Sequence, residues 1–185
     1  MTMRKMLGYI VLCLYSAAAI AACGSSTGTE GVTTSVNSPD PAQLQSQLRS
    51  KPSLEAAQAE YQTMVQQMAD RIAALTPGTT WSIETKTWVG CDGDYANTGA
   101  KQAYLMAVFS GPIPDSVWPQ ALQIVKDGAG QHGAQDVGTV KDSPGNHDVS
   151  ISGPDGVVFQ LGTQKASTLP ARSDCRLSQA DGRPK

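Results

Sequence analysis

Between positions 53 and 75 the apolar side chains Leu54, Ala57, Tyr61, Met64, Met68, Ile72 and Leu75 recur at steps of three and four. Glu55, Gln62, Gln66 and Asp70 fall between them, so the segment predicts a helix with one buried stripe. Ser53 offers a capping hydroxyl at its start, and Pro77-Gly78 ends it. The methionines and the tyrosine of this stripe read as core. The period then changes. Trp81, Ile83, Thr85, Thr87 and Val89 alternate with Ser82, Glu84 and Lys86, which predicts a strand buried on one face. Positions 100–109 are apolar enough for a central strand, and Gly90-Cys91-Asp92-Gly93-Asp94 forms a turn-rich connection between the two.

A second helix is expected with Asp115 as N-cap and Pro119 in its first turn. Trp118, Ala121, Leu122, Val125 and Ala129 share one of its faces, and it ends near 128–133. Three short strands follow, at about 135–141, 147–152 and 157–161. Asp142-Ser143-Pro144-Gly145-Asn146 and Gly153-Pro154-Asp155-Gly156 are the turns between them. Helix, two strands, helix, three strands is the order of an α+β fold, a two-layer sandwich with two helices packed on one face of an antiparallel β-sheet. It contains a helix-plus-hairpin twice, without a matching residue pattern. Positions 53–177 make one domain of ordinary size, followed by a polar C-terminal tail at 178–185.

Ahead of that domain the chain changes character. Arg4 and Lys5 precede an apolar run over 7–20, too short to span a bilayer but suited to an export signal. Ile20-Ala21-Ala22-Cys23 resembles the bacterial lipobox, in which cleavage exposes a cysteine whose thiol carries a diacylglycerol. An ordinary secretory leader with a chance cysteine is the competing reading. On the lipobox reading, residues 1–22 are a signal peptide and 23–52 hold the lipidated Cys23 and a flexible tether of Gly, Ser and Thr. Within that stretch Asp40-Pro41, Leu44 and Leu48 suggest a short helix. The mature protein would sit on the outer face of the cell membrane, held by acyl chains such as palmitate.

With 40% hydrophobic and 16% charged residues, the chain is no membrane bundle, collagen or wholly disordered polymer. Its formal charge of −2 becomes −4 once Arg4 and Lys5 leave with the leader, because residues 1–22 hold no acid. No cationic excess exists to neutralise phosphates, so nucleic acid is not an expected partner. Of the four cysteines, Cys13 lies in the leader and Cys23 is the acylation candidate. Cys91 and Cys175 remain, and in an exported chain they are expected to form one disulfide; CxxC redox spacing is absent.

Several segments in order carry a family likeness: Trp88-Val89-Gly90-Cys91-Asp92-Gly93-Asp94-Tyr95, then Gly111-Pro112-Ile113-Pro114-Asp115 with Trp118-Pro119. Lys141-Asp142-Ser143-Pro144-Gly145-Asn146-His147-Asp148 and Cys175-Arg176-Leu177 complete it. Over most of 53–177 the chain resembles the LppA-like lipoproteins of mycobacteria. The resemblance implies a cell-envelope lipoprotein with both cysteines in the family's places, and no known reaction.

Signs of chemistry are sparse. His132 and His147 are the only histidines. The first suits the C-terminal end of the second helix, where a cationic ring complements the dipole. His147, with Asp142 and Asp148 nearby, is the better functional candidate, although a histidine beside a turn is commonly structural. No Gly-x-Ser-x-Gly elbow, His-Glu-x-x-His pair or phosphate-binding loop is present. Asp92, Asp94 and Asn97 could ligate Ca²⁺ weakly, but without the full loop pattern they read as turn formers, and no metal or cofactor is expected. Trp88 falls on the polar face of its strand by strict alternation. Either a bulge next to Gly90 rotates it inward or it stands exposed as an aromatic anchor.

These readings converge on a non-enzymatic, lipid-anchored envelope protein. Its domain would bind a hydrophobic ligand or an envelope protein at an open sheet face near Trp88, with His147 a second candidate. The alternatives are a hydrolase or transferase acting on envelope components through His147 and nearby carboxylates, and a purely structural surface protein.

Overall fold

The structure is a computed structural model and describes residues 40–182. The expected export signal, Cys13, Cys23 and residues 24–39 lie outside the described residues. The first helix, α1 (Pro41–Ser50), starts where Asp40 accepts the Ala42 N–H through Oδ1 at 3.1 Å and Pro41 opens the first turn. Helix α2 (Leu54–Ala74) has Ser53 as its N-cap, whose hydroxyl accepts from the Ala56 N–H at 3.3 Å, and buries the expected stripe together with Val65 and Ala69. Leu75 is half-buried at its C-cap.

Strands β1 (Trp81–Gly90) and β2 (Lys101–Phe109) form the first antiparallel hairpin. Helix α3 (Trp118–Gly130) follows, then β3 (Asp136–Ser143), β4 (Asn146–Ser152), β5 (Val158–Thr163) and β6 (Ser167–Arg172), with a short helical turn α4 (Gln179–Gly182) at the end. The sheet has six strands in the order β1-β2-β6-β5-β4-β3, every neighbouring pair antiparallel. Ala103, Leu105, Ala107 and Phe109 of β2 join Phe159, Leu161, Leu169 and Ala171 in one core with the stripes of α2 and α3. Gly128 lets α3 approach α2, since a Cβ there would sit 2.6 Å from Met68 Sδ.

Four expectations change. A sixth strand, β6, lies between β2 and β5, and its Pro170 is the reason it was not foreseen, because proline ordinarily marks an edge strand or none. The fold tolerates it by leaving the β5–β6 ladder unpaired between Phe159/Ala171 and Gly162/Thr168, in unbroken register. Asp115 is not the cap of α3: Val117 holds that position without a side-chain bond. Packing begins before Ser53, because Leu44 and Leu48 of α1 are buried and Leu48 packs with Cys91, Ala100, Cys175 and Leu177. At the other end, Ser178 is buried and the Gln179 N–H donates to Glu55, so the start of the C-terminal tail is part of the fold.

The fourth change concerns β1. Its register slips between Ile83 and Thr85, so Glu84 is the extra residue of a bulge and the alternation reverses beyond it. Trp81, Ile83, Lys86 and Trp88 then oppose Phe109, Ala107, Leu105 and Ala103, the core-facing residues of β2. Thr85 and Thr87 oppose Met106 and Tyr104 on the other face.

Candidate functional site

The side of the sheet opposite the α2–α3 core is surfaced by alternate residues of the central strands. Tyr104, Val158, Gln160 and Pro170 are half-buried there, with Arg172 at their edge. They line a depression of about 140 Å³ over the gap in the β5–β6 ladder. Val158 and Arg172 also line a larger cavity of about 440 Å³, which continues past Gln102 and Tyr95 to Asp155 and Asp92. The two adjoin at Val158 and Arg172, which line both, and together make up the groove. Arg172 lies across Tyr104, its guanidinium carbon 5.6 Å from the ring centroid, a cation–π arrangement that holds the charge over the groove floor.

The larger end is stiffened by hydrogen bonds. Gln102 Nε2 donates to the carbonyls of Gly156 and Ser173, each at 2.7 Å. Asp155 adopts a left-handed φ of +55°, the only such non-glycine among the described residues, and this turns its carboxylate toward Lys51 Nζ at 2.7 Å and the Tyr95 hydroxyl at 2.9 Å. Burial disfavours ionisation of Asp155, yet the bonds from Lys51 and Tyr95 outweigh it and hold the carboxyl below its usual range. Lys51 also reaches Asp174 at 2.9 Å, and these bonds overcome its own burial to raise its pKa. The groove therefore has a carboxylate-rich end, a guanidinium over an aromatic ring in the middle, and an apolar floor at Val158 and Pro170. It can hold a ligand by shape and charge. Cys175 at its wall is tied into a disulfide with Cys91, Cα to Cα 6.1 Å, across 84 positions.

Of the residues singled out from sequence, Asp92 and Asp94 line the larger end of the groove, on and beside a 3-10 turn at Gly93–Tyr95. Trp88 does not share that face. The bulge at Glu84, rather than one next to Gly90, puts it on the core side of β1, and it stays 39% exposed there because β1 is an edge strand. The expected open face near Trp88 is thus corrected: the groove and Trp88 are on opposite sides of the sheet. Tyr104 and Val158 were missed because their neighbourhoods read as ordinary strand, and Pro170 and Arg172 because the proline hides the strand that carries them. The Asp155-Gly156 pair predicts a turn, and it is also the signal of the positive φ that Asp155 adopts.

His147 is 8% exposed at the start of β4 and stacks on Trp118, ring centroids 4.7 Å apart at 17°. Its Nδ1 lies 2.9 Å from Asp142 Oδ1 and its Nε2 2.9 Å from Asp115 Oδ1. Asp115 Oδ1 also accepts the Gly145 N–H at 2.8 Å. The residue expected to cap α3 thus ties the loop before α3 to the β3–β4 turn. Burial would lower the His147 pKa, but the two carboxylate bonds outweigh it and raise it above 6.5. Asp115 is lowered, first by the Gly145 N–H and then by His147. Each ring nitrogen thus has a carboxylate within hydrogen-bond distance, an arrangement that favours the charged ring. His132, at the end of α3, packs on Tyr61 with centroids 4.7 Å apart.

The clamp has a signed pH dependence. A raised histidine contributes stability fully below about pH 6.5 and loses it as pH rises through its folded-state pKa; a lowered Asp115 contributes above its ordinary 3.8 and loses it only in stronger acid. The melting temperature of the wild type is expected to fall by a few degrees as pH rises from about 6 to about 9. His147→Leu should flatten that fall in a thermal scan. An unchanged pH profile in the variant would mean that the pair of carboxylates does not hold the charged ring.

Comparison with known proteins agrees with this architecture. A family described as "LppA: Lipoprotein confined to pathogenic Mycobacterium" matches residues 32–179. LppA of Mycobacterium tuberculosis (strain CDC 1551 / Oshkosh) is 26% identical over 145 residues, and LppB of the same strain is 28% identical over 148. Each match covers 74% of this chain and 66% of the relative, so the chain spans just under two thirds of the length of these curated relatives. The crystal structure of LppA from Mycobacterium tuberculosis superposes with a TM-score of 0.66 at 24% identity, over 77% of this chain and 92% of that one, which establishes a shared fold. With the match running from residue 32 to residue 179, through the whole sheet, the disulfide and the His147 clamp, the chain belongs to the LppA family of lipoproteins.

Proposed function

We propose that this chain is a non-enzymatic binding domain, anchored to the outer face of the cell membrane by an acylated Cys23. Its body is a two-layer sandwich that turns the helix-free face of its sheet to a ligand. The observation that carries the reading is the groove, two adjoining depressions of about 440 Å³ and about 140 Å³ that share Val158 and Arg172 in their linings. A concave site of that size with a few fixed polar groups fits a small molecule or a short extended segment. Arg172 over Tyr104 would take an anionic or planar group, and Asp92 and Asp94 would favour a cationic one at the larger end. Support for a non-enzymatic role comes from His147, whose two nitrogens are both committed to carboxylates.

Native mass spectrometry of the full chain, purified in mild detergent from its own envelope, tests the site. A discrete extra mass lost on denaturation is expected in the wild type. Val158→Trp, which fills the junction from a half-buried strand position, should remove at least nine-tenths of that mass while the melting temperature changes little. An adduct that survives Val158→Trp lies elsewhere, and the groove reading would then be wrong.

A further inference from the structure

Trp88 is unlike the other two tryptophans. Trp118 is buried against His147, and Trp81 is half-buried with its indole N–H donating to Asp70 at 3.0 Å. Trp88 is 39% exposed, and its indole N–H makes no hydrogen bond among the described residues. Lys101 Nζ sits 5.9 Å from its ring centroid, and Lys86, Gln58 and Thr87 complete a shallow depression of about 410 Å³ around it. Lys86 and Trp88 reach this side of β1 only because the bulge at Glu84 reverses the alternation. The surface that results is one indole with two ammonium groups beside it and, among the described residues, no carboxylate in its lining.

The path of the chain indicates what this surface meets. At the C-terminal end of α1, Lys51 touches Asp155 and Asp174, near β5 and β6. Gln45, more than a turn earlier, donates to the Thr98 carbonyl in the β1–β2 connection at 3.0 Å. Followed toward its N-terminus, α1 therefore runs across the end of the sheet to the β1–β2 connection. The chain leaves the described residues at Asp40 on that side. Gly90 pairs with Lys101 in the same corner, two residues from Trp88. Residues 24–39 are all that separate Asp40 from Cys23, and even fully extended they reach only about 55 Å.

We infer that Trp88, Lys86 and Lys101 dock the domain on the phospholipid surface to which the chain is anchored. This rests on the acylated Cys23 of the proposed function. An indole is suited to the headgroup layer, with an apolar body and a polar N–H, and lysine ammonium groups favour anionic headgroups. Docking through so small a patch can be weak, because a short tether holds the effective concentration of the surface in the millimolar range. Docked on the core side of β1, the domain leaves the groove on the opposite side of the sheet facing outward.

The test uses the full acylated chain in vesicles containing anionic phosphatidylglycerol, with and without brominated acyl chains that quench nearby indoles. The vesicles are floated on a density gradient, and tryptophan emission is read from the floated fraction. The expected result is that brominated vesicles lose about a third of the emission, the share of one tryptophan in three. Trp88→Phe should float equally and lose none of it, and Lys86→Glu with Lys101→Glu should at least halve the loss. Equal emission from floated brominated and plain vesicles would overturn the docking while leaving the anchor intact, and it is also the result a protein partner on this face would give. Quenching that persists in Trp88→Phe overturns it as well. A chain that does not float removes the anchor itself, and the docking with it.

Discussion

Replacing Cys91 and Cys175 together by serine should lower the unfolding free energy by about 4–5 kcal/mol. The disulfide closes a loop of 84 positions, and the chain-entropy model gives roughly that for such a loop. Its place in the structure gives the loss a local character too. Cys91 and Cys175 form the centre of a small second core with Leu48, Ala100 and Leu177, and Tyr95 packs on its edge. Leu48 is the deepest contact of α1, so the reduced domain is expected to release α1 before the sheet melts. Urea unfolding followed by circular dichroism measures the total, and amide exchange in α1 measures the local part. A loss below about 1 kcal/mol would show that the second core holds without its staple.

The second large effect is at Phe159, which is fully buried, stacked on Tyr61 with centroids 5.6 Å apart and lying 6.2 Å from His132. Phe159→Ala empties the centre of the main core between α2 and β5 and is expected to cost about 3–5 kcal/mol. Its neighbour behaves oppositely. Val158 lies on the other face of the same strand, at the junction of the groove, where an added ring meets open space. A chemical-denaturation midpoint that falls steeply for Phe159→Ala and barely for Val158→Trp would distinguish the core-facing from the groove-facing side of β5. Comparable losses at both positions would show that Val158 is packed rather than exposed to a ligand.

Much of the architecture is legible in local pattern. The α2 stripe, the Ser53 cap, the β1–β2 and β4–β5 connections and the pairing of Cys91 with Cys175 all follow from spacing and composition. Helix α1 is legible as a helix, but its docking is not, because Leu44 and Leu48 find their partners at Cys91 and Cys175, far along the chain. The features that escaped detection share that cause. Asp115 has the right type and position for a helix cap, and only the fold shows that it is drawn to His147, 32 positions away. Strand β6 carries a proline that local rules read as a break, and its neighbours on both sides override it. A one-residue bulge at Glu84 reverses which face Trp88 occupies, and neither propensity nor periodicity marks where such a residue is inserted.

The position of β6 in the sheet also constrains the order of folding. The hairpin β1–β2 and the run β3–β4–β5 pair only with sequence neighbours, and β6 alone joins them, setting Leu105 beside Ala171 and Ala107 beside Leu169. A chain emerging N-terminus first can close both local pieces early, but each then carries a bare inner edge until Ser167–Arg172 arrives. Because β6 meets β5 across a three-residue turn, the slowest step of maturation is thus expected to be its pairing with β2, a closure of high contact order between Leu105 and Ala171. A chaperone that shields nascent strands would have the most to do in that interval.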